Sequence, residues 1–302
     1  MEYFINLHIT VHGMMKLQTP VIIPESTIRI SFDDRIMVLG SCFADNIGRI
    51  MASSGFNVLV NPFGTIYNPI SLLNSMERLE SGMPFRKEDC IEMGAGAGLI
   101  CSFNHHTSFA RPTEESFLDN ANESLEKASA FFKECNKIII SLGTAWCYNL
   151  VSTGNTVSNC LKRNAKEFIR KRMDIRDVTD SLETMLSLNK AKFIFTVSPI
   201  RHTGDGAHGN QLSKSTLLLA VDEICRRHQD KCEYFPSYEI MMDELRDYRF
   251  YAEDMNHPSA QAVNYIWERF CDYSLSGNDK ERLAASIKEI KRSAHRPLHK
   301  NA

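Results

Sequence analysis

The chain has 302 residues, 43% of them hydrophobic and 24% charged, with a formal net charge of -2. That is a globular composition, and it lacks the basic excess expected of an electrostatic nucleic-acid binder. Nine cysteines, an odd number with no C-x-x-C pair, argue against a disulfide scaffold or a zinc site and read as free thiols of a reducing compartment.

Residues 1–15 carry neither a basic n-region nor a small-residue cleavage site. They read as a poorly ordered extension rather than a secretory leader, so the cytoplasm is the expected location. No apolar run approaches the roughly 20 residues that span a bilayer, and no membrane contact is expected. Short, mostly β-branched or aromatic runs bounded by Gly, Pro, Ser or Asn predict strands at 36–39, Asn57–Val60, Lys137–Leu142, Lys192–Val197 and 232–235. Their continuous apolarity fits a parallel sheet covered on both faces. Between the second and third strands, 92–111 breaks the pattern with Gly94, Gly96, Gly98 and Asn104-His105-His106, and reads as a short strand or loop excursion. Helical spacing runs over 114–132, 176–189, 213–228 and 259–273, each with one apolar stripe for the sheet. A terminal amphipathic helix is expected over 279–292, followed by a solvated basic tail, 295–300. The fold expected is a three-layer α/β/α sandwich with a central, mainly parallel five-stranded sheet, flavodoxin-like in plan. It forms one domain over 15–276, with 277–302 as a C-terminal helix and tail.

Ligands of open parallel sheets bind beyond the carboxyl ends of the strands. There the sequence places Gly40-Ser41-Cys42, Asn61-Pro62-Phe63-Gly64-Thr65, Gly143-Thr144-Ala145-Trp146 and Ser198-Pro199-Ile200-Arg201-His202. Ser41 and Cys42 both sit between a strand and a helix N-terminus, where a nucleophile is exposed by the turn and its negative charge is stabilised. Free cysteine is also a common core residue. Asp254, three residues before His257, can take the hydrogen bond of one ring nitrogen and leave the other free to accept a proton. Arg201 suits a carboxylate or phosphate, and His106 and His202 are further substrate-contact candidates. The pair His105-His106 lacks a third ligand at useful spacing, so no metal and no other cofactor is expected.

The turn Gly40-Ser41-Cys42-Phe43-Ala44 is the motif of the GSCFA domain family, and this chain resembles that family over about residues 17 to 270. The stretches Asn61 to Pro69, Leu142 to Trp146, Ser198 to His202 and Tyr248 to Asp254 carry the same resemblance. The family is a branch of the SGNH (GDSL-like) esterase superfamily, which implies an α/β fold and ester chemistry. The superfamily's Gly-Asp-Ser turn overlays Gly40-Ser41-Cys42 and favours Cys42 over Ser41 as nucleophile, with Asp254 and His257 completing a triad. It also implies an oxyanion hole of the Cys42 amide, Gly64 and a third block at Gly143-Thr144. The asparagine of that third block is replaced here by Ala145, and Thr144, Asn61 and Asn68 are the candidates for the missing donor. Three readings follow. The first is a hydrolase of ester or thioester bonds in small-molecule or carbohydrate substrates. The second is an acyltransferase to a sugar or small acceptor through the same site. The third, favoured by Ala145, is a non-catalytic binding protein on a hydrolase scaffold. Oligomeric state is left open.

Overall fold

A computed structural model describes residues 18–294; the leading extension and the basic tail expected from the sequence lie outside them. The elements run β1 (Arg35–Gly40), α1 (Cys42–Ser53), β2 (Asn57–Val60), α2 (Pro69–Ser81), β3 (Ile91–Glu92), β4 (Ile100–Cys101), α3 (Glu114–Glu134), β5 (Lys137–Leu142), β6 (Trp146–Leu150), β7 (Thr156–Val157), β8 (Phe168–Arg172), α4 (Ile175–Leu188), β9 (Lys192–Val197), α5 (Gly206–Arg227), β10 (Cys232–Tyr234), α6 (Ser237–Glu239), α7 (Ala260–Ser274) and α8 (Gly277–Ala294). The five expected strands form one sheet in the order β10-β9-β5-β1-β2, and every neighbouring pair in it is parallel.

The sheet is apolar on both sides because alternate residues feed two cores. Met37, Leu39, Ile138, Ile140, Phe193 and Phe195 pack with the stripes of α2, α3, α4 and α5. Ile36, Val38, Ile139 and Ile194 pack with α1, α7 and Leu283 of α8. Local signals set the helix starts. Asn68 accepts from the Ser71 amide at 2.9 Å with Pro69 in the first turn of α2, Thr113 and Ser116 form a capping box on α3, and Ser259 caps α7.

Three features differ from the sequence expectations. The helix α2 had no predicted counterpart, and α5 begins at Gly206, seven positions before the expected start, in a glycine-containing segment of weak helical propensity. Residues 146–172 fold into a second, three-stranded antiparallel sheet, β7-β6-β8, that the sequence did not announce. Its strands are short and partly exposed, with Tyr148 and Ile169 at the surface, so no buried run marks them. The excursion at 92–111 is a two-stranded hairpin, β3-β4, followed by a single helical turn. No helix among the described residues is long and apolar enough to cross a membrane.

Candidate active site

Between β1 and α1 the backbone passes through Gly40 at φ 130°, where a Cβ would lie 2.1 Å from the Ser141 carbonyl oxygen. Only glycine lets β1 run this close to β5 while turning out of the sheet. Ser41 then donates its amide to the Ser141 carbonyl at 3.1 Å, and its hydroxyl, 3.1 Å from that of Ser141, accepts from the Phe43 amide at 3.3 Å. Ser41 is 1% exposed, and its side chain is committed to capping α1. Cys42, the first residue of that helix, lines an open cleft, and its Sγ lies 3.4 Å from His257 Nε2.

His257 is held by its own loop. One Asp254 carboxylate oxygen accepts the amides of Asn256 and His257, each at 2.9 Å, and the other lies 2.5 Å from His257 Nδ1. Met255 takes a left-handed φ of 58° to close this turn. The His257 amide, then the Asn256 amide and the ring, hold the Asp254 carboxyl down to about 2. A carboxylate on Nδ1 selects the tautomer with its proton there and leaves Nε2 as an acceptor toward Cys42. Burial pushes the Cys42 thiol up, with its own and the Phe43 amide opposing and Asp45 reinforcing. The raised thiol keeps its proton, and His257 Nε2 stands within reach of it.

The expected oxyanion donors are mostly occupied. Gly64 gives its amide to the Asn61 carbonyl at 2.8 Å, and Gly143 and Thr144 both give theirs to the Tyr67 carbonyl, at 2.8 and 3.0 Å. Asn61 is spent too: its oxygen accepts from the Gly40 amide at 2.8 Å and its amide nitrogen meets Asp45 at 2.5 Å. Asn61 thus braces the Gly40-Ser41-Cys42 turn. Gly64, at φ 80°, is where a Cβ would come within 2.3 Å of His106 Cβ, so its conformation and His106 packing explain the glycine. His106 bonds Ser108 and caps a short turn away from the cleft lining. His105 is core: it sits among Phe63, Phe85, Phe109 and Phe117, and burial holds its ring down to about 3.

Two side-chain donors remain on the cleft wall. Asn68 uses its oxygen to cap α2, which leaves its amide nitrogen, and Tyr67 brings its hydroxyl beside Cys42, 3.2 Å from Thr65 Oγ1. The Cys42 amide, among the first N–H groups of α1, is a third. Of these the sequence pointed to Asn68 and the Cys42 amide and missed Tyr67, although Tyr67 lies inside the Asn61 to Pro69 stretch.

The cleft encloses about 630 Å³, within the range of small-molecule sites. Cys42, His257, Thr144, Arg201 and His202 line it, together with Trp146, Tyr148 and Arg170 from the antiparallel sheet. Arg170 stacks on Trp146, 4.4 Å from the ring centroid, and pairs with Asp205. Burial, then Lys214, pushes the His202 ring down to about 4, so it stands neutral in the cleft at pH 7. Beneath lies Lys214, fully buried, donating to the carbonyls of Gly143 at 2.6 Å and Ser198 at 2.8 Å. It ties together the loops after β5 and β9. The sequence carried a signal for it: Lys214 shares a helical face with Leu217 and Val221, where a charge marks a buried lysine.

Residues 35–270 match the GSCFA family, about four-fifths of the chain. No curated protein matches the sequence.

Proposed function

From the premise that this chain belongs to the GSCFA family, we propose that it is a hydrolase of ester or thioester bonds working through a covalent acyl-enzyme on Cys42. The observation that carries this reading is the relay of Cys42 Sγ, His257 and Asp254, with spacings of 3.4 and 2.5 Å. A nucleophile, a base and a group that orients the base are the parts that nucleophilic acyl transfer requires. The thiol attacks the substrate carbonyl carbon while its proton passes to His257 Nε2. The carbonyl π electrons move to oxygen, giving a tetrahedral oxyanion. The Cys42 amide, the Asn68 amide nitrogen and the Tyr67 hydroxyl are the donors placed to stabilise it, each worth a few kcal/mol when well aimed. Collapse expels the alcohol or thiol, which takes the proton from His257, and leaves a thioester on Cys42. Water, deprotonated by the same ring, then releases the acid.

The 3.4 Å contact also weighs against a scaffold that only binds, since such a scaffold needs no base beside the cysteine. A second acceptor in place of water would make the same site an acyltransferase. Trp146 and Tyr148 line the same cleft with the Arg170 guanidinium over both rings, so an acceptor there would meet hydrogen-bond donors beside aromatic surface. Incubation with a panel of activated esters and thioesters, followed by intact and site-mapped mass spectrometry, tests the proposal. An acyl adduct on Cys42, absent in Cys42→Ala, is expected. Full turnover by Cys42→Ala would sink it. Adding polysaccharide acceptors to the same assay separates transfer from hydrolysis.

A further inference from the structure

We propose that Arg201 is the receptor for an anionic group, a carboxylate or a phosphate, carried by the substrate that reacts at Cys42. The proposal rests on the acyl-transfer reading above and gives that substrate a chemical class.

Arg201 differs from the other cations of the cleft in what it touches. Arg170 is neutralised by Asp205 and stacked on Trp146. Lys214 is bonded to two carbonyls. The acids that line the two hollows beside Arg201 are paired elsewhere, Asp205 with Arg170 and Asp247 with Arg249, and Asp254 is held by His257. Among the described residues the Arg201 guanidinium has one polar partner, the sulfur of Met242 at 3.3 Å, and no carboxylate. A thioether is a weak acceptor, while a guanidinium presents five N–H donors in a planar fork. That fork fits a carboxylate or phosphate with two parallel, charge-assisted bonds.

Its position suits a substrate contact rather than a surface charge. Arg201 stands on the wall shared by the Cys42 cleft and a second hollow of about 400 Å³, lined by Met242, Tyr248, Tyr251 and Met255. Its own amide donates to the Asn256 carbonyl at 3.0 Å, one residue from His257. An anion on Arg201 is thereby registered against the catalytic ring through a single backbone link, which is how a positioned substrate group raises the rate of a neighbouring reaction.

The test needs no turnover. Alkylation of each cysteine by iodoacetamide, a neutral reagent, is followed by site-mapped mass spectrometry in sodium succinate, in sodium phosphate, and in sodium chloride at matched ionic strength. At least one of the two anions is expected to slow alkylation of Cys42, by about tenfold when it is present at roughly ten times its dissociation constant. Whichever anion protects identifies the source, carboxylate or phosphate. Cys90, partly exposed and far along the chain, serves as the unprotected reference, and buried Cys101 reports folding. Protection is expected to disappear in Arg201→Gln and to fall severalfold in Arg201→Lys, which keeps the charge but loses the fork. If the glutamine variant exposes Cys101, the lysine variant carries the comparison. Failure of both anions to protect Cys42, or equal protection in the native chain and the folded variants, would overturn the proposal. An acyl adduct that never forms would sink the hydrolase reading instead, and this alkylation result would stand apart from it.

Discussion

A lysine ammonium drawn under the sheet gives up its hydration, and at Lys214 the carbonyls of Gly143 and Ser198 stand in for water. Burial nevertheless pushes the amine down to about 7, with the nearby Cys42 pulling the other way. The neutral amine still has two N–H bonds for its two carbonyls, so losing the proton leaves both satisfied. The sign of the pH effect follows. Between about pH 7 and the ordinary lysine value the unfolded chain holds this proton and the folded chain does not, so stability rises with pH across that window. Below about 7 both states are protonated and the effect is flat. Urea unfolding of the native chain and Lys214→Met over pH 7 to 9 should therefore show the native midpoint climbing relative to the variant. The relative gain approaches about 1.4 kcal/mol per pH unit at most. A relative slope of zero would place the amine's titration outside that range. At this same scale the sequence was legible where chemistry and spacing coincide, as in Asp254-x-x-His257. It was less legible at Lys214, because a lone charge on an apolar stripe stands out only once that stripe is known to be buried.

At the scale of elements, α1 begins at Cys42, and its cap is the serine beside it. Ser41 satisfies the Phe43 amide, one of the first N–H groups that a helix leaves unpaired. Ser41→Ala should cost about 1 kcal/mol of stability, as the loss of a serine cap does, read from the urea midpoint. It should still form the Cys42 adduct, since the hydroxyl faces Ser141 rather than His257. Loss of the adduct in a folded Ser41→Ala chain would return the nucleophile role to Ser41. Local spacing located α3, α4, α7 and α8 well because each has a continuous stripe and its own cap. It did not announce α2, which opens within the Asn61 to Pro69 motif, nor the β6-β8 sheet, whose pairing joins short strands across a turn-rich stretch. At the other end α8 docks on the same core, through Leu283 and a 2.7 Å bond from the Ser286 hydroxyl to the Ser54 carbonyl.

Across the whole molecule, the sheet order explains where the site lies. Counting only the central strands in chain order, β2-β1-β5-β9-β10 reads 2-1-3-4-5, and the order reverses between β1 and β5. The crevice at such a switch point opens beyond the carboxyl ends, where Gly40 and Leu142 end their strands and Cys42 and Thr144 meet the cleft. Because both cores are built on the same five strands, they should melt together. The two tryptophans report on separate places, Trp146 on the antiparallel sheet and Trp267 in the α1–α7 core. Single-tryptophan variants, Trp146→Phe and Trp267→Phe, should give coincident urea transitions; separated midpoints would show two folding units.

The amino-acid sequence by itself determined the five strands, the parallel sheet, the Gly40-Ser41-Cys42 turn after the first strand and the Asp254–His257 pair, because each is written in short-range spacing. Only the tertiary structure decided what crosses that range. Cys42 and His257 meet over 215 positions of chain. The amides of Gly64, Gly143 and Thr144 are taken by carbonyls. Asn61 braces rather than binds, and the Arg201 guanidinium meets the sulfur of Met242. A hydrogen bond already made removes a donor from catalysis, and no spacing rule registers which partners the folded backbone brings near.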